Sequence, residues 1–508
     1  MRILLDGDSL TLNEVVAVAR QAAEVQLAET GQHRLERSRV VVERYVREGR
    51  VIYGLNTGFG KFSDMVIAPD ELETLQKNLI YADAVGIGRP FDQEVTRALM
   101  LLRANALAKG YSGIKPSTVQ TLLDMLNRGV HPVIPEKGSV GSSGDLCPLA
   151  HMVLVMLGEG EAEYRGRVLA GARAMAEADI PTVTLQAKEG LALINGTCAM
   201  LAVAALAVAD AGILLRTADI AAALTMEVLE GITDAFDPRI HQVRPHKGQQ
   251  ESARNLLRLC AGSRLTTRQD QLRVQDAYSL RCVPQIHGGS RLAAEYVQGV
   301  IETELNSATD NPLIFPDGDG CVLSGGNFHG QPIAIAMDTL GIALAEVANF
   351  SERRIERLLN PALSGLPAFL SPHGGTNCGF MVAQYAAAAV VSENKVLAHP
   401  ASVDSIPTCA NQEDFVSMGT IAARKAREIL GHAQHVLGVE FLCAAQAADF
   451  RGSDRLGRGS RKTYEVIREG IPFMATDRVL YRDMDLAAGL VASGRLLHEV
   501  THVIGELE

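Results

Sequence analysis

Leu340-Gly341-Ile342-Ala343-Leu344-Ala345-Glu346-Val347-Ala348-Asn349-Phe350-Ser351-Glu352-Arg353-Arg354-Ile355-Glu356-Arg357-Leu358-Leu359-Asn360-Pro361 sets large apolar residues at 340, 344, 347, 355 and 358, the three-and-four spacing that lines one face of an α-helix. Glu346, Arg353 and Arg354 fall off that stripe, and Asn360-Pro361 stops the run. A second pattern runs from about Ser417 through Ile421, Ile429, Val436 and Phe441, where Ala422, Ala423, Ala426, Ala433, Ala444 and Ala445 let another helix come close. Ala/Leu-rich stretches dominate after Asn195, whereas the earlier part mixes short helical patterns with Gly-rich loops, the kind of region in which sites are built. Strand signals are few. The clearest is Leu313-Ile314-Phe315, a turn, then Cys321-Val322-Leu323, which reads as a small hairpin. Its Asp317-Gly318-Asp319 lacks the later ligands of a calcium loop and reads as a plain turn. The expected fold is mainly α: a long central helix bundle over residues 201–508, a loop-rich N-terminal domain over 1–200, and only short hairpins. Long helices poor in aromatics also suit sharing between subunits.

The chain has 508 residues, enough at ~150 per domain for about three domains or one large helical unit. Hydrophobic residues make up 47% and charged residues 21%, which excludes a disordered or fibrous chain. With 48 Lys+Arg against 59 Asp+Glu the formal net charge is −11, which argues against a nucleic-acid or anionic-membrane surface. Trp is absent and aromatics are 5%, so a base-stacking platform is not expected. The start, Met1-Arg2-Ile3-Leu4-Leu5-Asp6, has a charge too early for a signal peptide. The most lipid-like stretch, Ala199 to Ala209, is broken by Asp210 and Arg216 and falls short of the ~20 apolar residues of a spanning helix. Cysteines at 147, 198, 260, 282, 321, 378, 409 and 443 form no CxxC. They are expected to be reduced, mostly buried thiols in a cytoplasmic protein without structural zinc or other metal.

The most unusual segment is Gly138-Ser139-Val140-Gly141-Ser142-Ser143-Gly144-Asp145-Leu146-Cys147-Pro148-Leu149. A bland reading makes it a flexible loop before a helix, with Asp145 as N-cap and Pro148 in the first turn. A phosphate loop would need the Lys of GxxxxGK[ST], which is missing. Other short motifs follow one another along the chain: Tyr53-Gly54-Leu55-Asn56-Thr57-Gly58-Phe59-Gly60, Asn195-Gly196-Thr197, Gln275-Asp276-Ala277-Tyr278-Ser279-Leu280-Arg281, Glu304-Leu305-Asn306-Ser307 with Asp310-Asn311-Pro312, Gly326-Asn327-Phe328-His329-Gly330 and Asn411-Gln412-Glu413-Asp414. Each alone is weak.

Together and in this order they resemble the aromatic amino acid ammonia-lyase and aminomutase family over nearly the whole chain, closest to its histidine ammonia-lyases. The resemblance implies that Ser142-Ser143-Gly144 cyclises autocatalytically to a methylidene-imidazolone (MIO). Gly144 supplies an unhindered nitrogen, Ser143 the methylidene carbon, and position 142, usually Ala, need only be small. By the same resemblance Tyr53 is the base that takes the substrate's β-proton. A Tyr with a reference pKa of ~10 would have to be perturbed by cations, dipoles or hydrogen bonds for that task. Arg281 would clamp the substrate carboxylate; Tyr278, Asn195 and Gln275 would line the amine and carboxylate end; Phe328 would wall the cavity. No diffusible cofactor is implied, and a homotetramer with shared active sites is.

Substrate choice is open at this level. Glu413 matches the position where histidine-type members carry a carboxylate, which suits an imidazole. Yet at the positions of Ala82-Asp83 histidine-type enzymes typically show Ser-His, tyrosine-type His-Leu and phenylalanine-type Phe-Leu; Phe415 stands where histidine-type members usually have His. If Asp83 points into the pocket, two carboxylates face the side chain and disfavour phenylalanine. The expected function is therefore elimination of ammonia from L-histidine to give trans-urocanate. The alternative is a tyrosine-type ammonia-lyase or 2,3-aminomutase with specificity set by Asp83. A non-catalytic protein that inherited the scaffold would be betrayed by a segment 142–144 that does not cyclise.

Overall fold

The computed structural model describes residues 2–508, and among them are twenty α-helices and nine short strands. The 340–358 stripe lies in the Gln331–Leu359 helix, and the Ser417–Phe441 pattern lies in the Gly419–Arg451 helix. The first ends where Asn360 turns its side chain to the Ala362 amide (3.1 Å) and caps the next short helix. The second begins later than its pattern because Met418 sits at φ 56, outside helical space. Its six alanines are essentially inaccessible.

Contacts divide the chain into two compact units. The first comprises Met1–Ala209, Gln298–Asp338 and Pro400–Arg424; the second comprises Asp210–Val297, Thr339–His399 and Lys425–Glu508. Each unit is thus assembled from three separate stretches of the chain.

In the first unit the Gln93–Ala108 helix is buried from Val95 onward. Two of its buried polar side chains are well bonded: Arg97 donates to the Val18 and Leu126 carbonyls (2.8 and 3.0 Å), and Asn105 donates to the Leu305 carbonyl (2.8 Å) while accepting from the Gly7 amide (3.1 Å). The expected hairpin forms between Leu313–Phe315 and Cys321–Leu323. Its turn is tied down by Arg37, 2.6 Å from Asp317. A pairing the sequence did not signal is parallel: Arg2–Leu5 against Glu24–Leu27, joined through the Leu12–Gln21 helix.

In the second unit, buried charge is clustered. Glu440 accepts from Arg354 at 2.6 and 2.7 Å, from Ser351 at 2.6 Å and from Thr225 at 2.8 Å. Such a pair holds in a dry interior only because both carboxylate oxygens are filled.

Two expectations change. The Cys198–Val228 helix continues through Asp210 and Arg216, neither of which breaks a helix, so by length and composition it could cross a bilayer, as could Gln331–Leu359. Their apolar windows are 78% and 67% buried within the protein, as in core helices. Of the eight free cysteines, 147, 198, 260 and 443 are buried, 282 and 409 half-buried, and 321 and 378 exposed.

Candidate active site

The first unit encloses a cavity of about 1020 Å³, lined among others by Tyr53, Asp83, Ser143, Asn195, Phe328 and Glu413. That is a volume for a small organic ligand.

The turn at 141–145 has left-handed backbone at Gly141 (φ +78), Ser143 (φ +50) and Gly144 (φ +79). Gly144 is required twice over, because a Cβ there would lie 2.2 Å from the Gly196 carbonyl oxygen. Residues 144 and 196 pair like neighbouring strands, and the Asp145 amide donates to the Gly196 carbonyl (2.7 Å). Asp145 occupies the N-cap position of the Leu146–Met156 helix, but its side chain does not cap that helix. Fully buried, it accepts instead from the Met200 amide (2.8 Å), Ser139 Oγ (3.0 Å) and Thr420 Oγ1 (2.5 Å). It pins the reactive-looking turn to the start of the Cys198–Val228 helix. Burial pushes its carboxyl up, and these donors act against that rise.

Asn195 is brought to the turn by the end of the Glu189–Ile194 helix. Its Nδ2 donates to the Ser143 carbonyl (3.1 Å). Arg103, wholly buried, holds that helix end through the Asn195 and Ala192 carbonyls (2.9 and 2.6 Å). Asn195 Oδ1 is buried without a partner, a cost of about 1–3 kcal/mol that a ligand N–H would relieve.

Glu413 stands on the other side of Ser143. Ser143 Oγ donates to Glu413 Oε1 (3.1 Å), and Thr408 Oγ1 donates to Glu413 Oε2 (2.8 Å). Sequence reasoning missed Thr408. Thr408 and Glu413 also pair through their backbones, closing a loop whose Cys409, Ala410 and Asn411 are consecutively left-handed (φ 50, 51 and 64). Three such non-glycine residues cost on the order of 1 kcal/mol each or more and persist only where the surroundings hold them.

Asp83, the last residue of the Leu72–Asp83 helix, does line the cavity. Burial first, then the Glu413 charge, push its carboxyl up to about 6; a helix C-terminus likewise disfavours an anion. Tyr53 OH accepts from the Gly60 amide (3.3 Å), and the ring meets Phe59 edge-on. Its phenol is pushed up, by burial foremost, with the Gly60 amide opposing and Glu413, Cys409 and Asp310 adding to the rise. The cationic perturbation that a base would need is therefore not supplied by these neighbours. Cys409 anchors the same loop, its Sγ accepting from the Lys61 amide (3.3 Å).

Gln275, Tyr278 and Arg281 are not brought into this cavity. They belong to the second unit; Gln275 is exposed, Tyr278 is 68% exposed, and the Arg281 guanidinium lies 4.7 Å from the Tyr278 ring centre. Phe415 does not line the cavity either: it is exposed and stacks on His329 at 6.1 Å.

Residues 10–469 match the model of the aromatic amino acid lyase family. Histidine ammonia-lyase 2 of Fusobacterium nucleatum is 61% identical over 507 residues, covering 100% of this chain and 99% of its own length. Among solved structures, histidine ammonia-lyase from Trypanosoma cruzi is 44% identical with a TM-score of 0.92, covering 99% of this chain and 95% of that one. Tyrosine aminomutase from Streptomyces globisporus is 37% identical with a TM-score of 0.96, covering 100% of both. The chain with this turn, this cavity and these motifs in order belongs to the aromatic amino acid lyase family.

Proposed function

We propose that the protein is a carbon–nitrogen lyase that removes ammonia from L-histidine to give trans-urocanate. The observation that carries this reading is the placement of two carboxylates, Asp83 and Glu413, in the one cavity that also holds Ser143. An imidazole offers N–H groups to such a pair, whereas a phenyl ring offers nothing and leaves both carboxylates desolvated. The full-length relative named as a histidine ammonia-lyase supports the same substrate.

Ser142, Ser143 and Gly144 fit an MIO ring: the only side chain that clashes at position 144 is the one glycine lacks, and Asn195 Nδ2 already addresses the Ser143 carbonyl. When formed, the ring supplies an electrophile that turns the substrate's ammonia into a better leaving group. Around it, Asn195 Oδ1 receives a substrate N–H, Phe328 and Leu191 exclude water, and the Tyr53 phenolate oxygen takes the β-proton. Because burial and carboxylates raise the Tyr53 phenol, its basic form has to be drawn out by cations brought to the cavity.

The working form is a homotetramer, located in the cytoplasm, whose subunits exchange those cations. Arg281, with Tyr278 and Gln275, acts in the cavity of a neighbouring subunit, where it clamps the substrate carboxylate and favours the phenolate. Exposed apolar side chains in the second unit, Ile342, Val382, Tyr385 and Val396, support burial against another copy. Mixing Tyr53→Phe and Arg281→Met chains tests this: mixed oligomers regain activity only if the two residues serve one site from different chains.

A second reading, a tyrosine-type lyase or 2,3-aminomutase, is favoured by the Streptomyces globisporus structure and by Asp83 in place of the histidine-type residue. A substrate panel decides between them, following urocanate and hydroxycinnamate absorbance with chromatography for β-amino acids. Efficient urocanate formation supports the first reading, and silence on histidine with a β-amino acid from tyrosine supports the second.

A further inference from the structure

Before any ring closes Ser143 keeps its hydroxyl, and the contact that hydroxyl makes singles out one carboxyl group. Ser143 Oγ lies 3.1 Å from Glu413 Oε1, while Thr408 Oγ1, at 2.8 Å, occupies Glu413 Oε2. The other oxygen being held, Oε1 is aimed at the Ser143 hydroxyl. The double backbone pairing of Thr408 with Glu413 and the three left-handed residues between them hold that aim at a conformational cost. The other carboxylate at the turn, Asp145, is fully buried with its oxygens taken by Met200, Ser139 and Thr420. Substrate binding alone needs a carboxylate facing the cavity. It does not need one bonded to the hydroxyl that must leave.

We propose that Glu413 is the acid that releases the Ser143 hydroxyl when segment 142–144 closes on itself, and that Thr408 is the residue that positions it. The proposal rests on the reading above that this segment becomes an MIO ring.

Closure forms a bond from Gly144 N to the Ser142 carbonyl carbon. The first water carries off that carbonyl oxygen with the amide hydrogens of Gly144 and Ser143, leaving a double bond from the Ser142 carbon to the Ser143 nitrogen. In the second loss the Ser143 Cα–H electron pair becomes the Cα=Cβ bond and the Cβ–Oγ bond breaks. Oγ departs as water with a proton from Glu413 Oε1. The Cα proton passes to solvent, from which Glu413 is reprotonated. The 3.1 Å contact between Oε1 and Oγ is the path along which that proton passes. A hydroxide leaving without that proton would be a far poorer leaving group, and positioned acids typically contribute about 10²–10⁴-fold.

Intact-protein mass, followed with time after cell-free synthesis, tests this without any assay of turnover. The wild-type chain should settle lighter than its sequence by two waters. Glu413→Gln keeps the shape and loses the acid; it should lose the second water at least ~10²-fold more slowly. Thr408→Val should be slowed in the same step, and Thr408→Ser, which restores the hydroxyl, should mature like wild type. Glu413→Gln maturing at the wild-type rate would overturn the proposal. Should Glu413→Gln fail to fold by circular dichroism, the Thr408 pair decides, and equal maturation of Thr408→Val and Thr408→Ser overturns it. A wild-type chain that keeps both waters would instead remove the functional reading itself.

Discussion

Asp83→Asn should make the protein more stable at alkaline pH while weakening its hold on an imidazole. In the unfolded chain this carboxyl titrates near its ordinary 3.8, but in the folded protein it keeps its proton up to about 6. Between those values the folded chain binds the extra proton, so acid favours folding there. Above 6 the folded protein carries a desolvated carboxylate beside Glu413 and at a helix C-terminus. At ~1.4 kcal/mol per pH unit, that charge costs on the order of 3 kcal/mol. Asn removes the charge and keeps the size. The variant should therefore gain up to ~3 kcal/mol over wild type at pH 8, with the gain shrinking as pH falls from 6 and gone below about 3.8. Urea unfolding at fixed protein concentration, at pH 8 and again near pH 4, measures both ends. A variant no more stable than wild type at pH 8, or equally stabilised at both pH values, would refute the half-buried placement of Asp83 beside Glu413. The same variant should show a raised KM for histidine, the cost in function of a carboxylate kept where it strains the fold.

Gly144→Ala should prevent ring formation and destabilise the first unit, because its Cβ would lie 2.2 Å from the Gly196 carbonyl; intact mass and urea unfolding read the two effects. Tyr53→Phe should lower kcat by about 10²–10⁴-fold with little change in KM. Because Tyr53 must lose its proton to act, wild-type kcat should climb with pH until the phenol has ionised, a limb that stopped-flow pH profiles should find missing in the variant. Arg354→Met should cost about 3–5 kcal/mol by stranding Glu440 in the core, and adding Glu440→Leu should recover much of that loss, measured by denaturant unfolding.

Long apolar helices were legible because their stripe repeats over many turns, as from Leu340 to Leu358. The Arg2–Leu5 strand was not, since four residues carry too little periodicity to separate a strand from a loop. Asp145 looked like a cap because its position before Leu146 is that of a cap; only the fold brings Met200 and Thr420 to its carboxylate. The cavity residues Tyr53, Asp83, Asn195, Phe328 and Glu413 were reachable through motifs. Motif order says nothing about which unit, or which chain, a residue serves, so Gln275, Tyr278 and Arg281 were grouped with them. Thr408 carried no signal beyond standing shortly before Glu413, and its use emerges only when the left-handed loop folds it back.

The turn at 141–145 is walled by segments far along the chain: Ser417 against Gly141, the Met418 amide donating to the Val140 carbonyl, Thr420 on Asp145 and Glu413 on Ser143. A ribosome delivers residue 144 long before residue 420. While the chain is still being made, the turn lacks its outer wall and the strained geometry has nothing to enforce it. Any electrophile formed there must wait until the chain has been made past Thr420, so ring closure follows the folding of the first unit rather than the synthesis of its own segment.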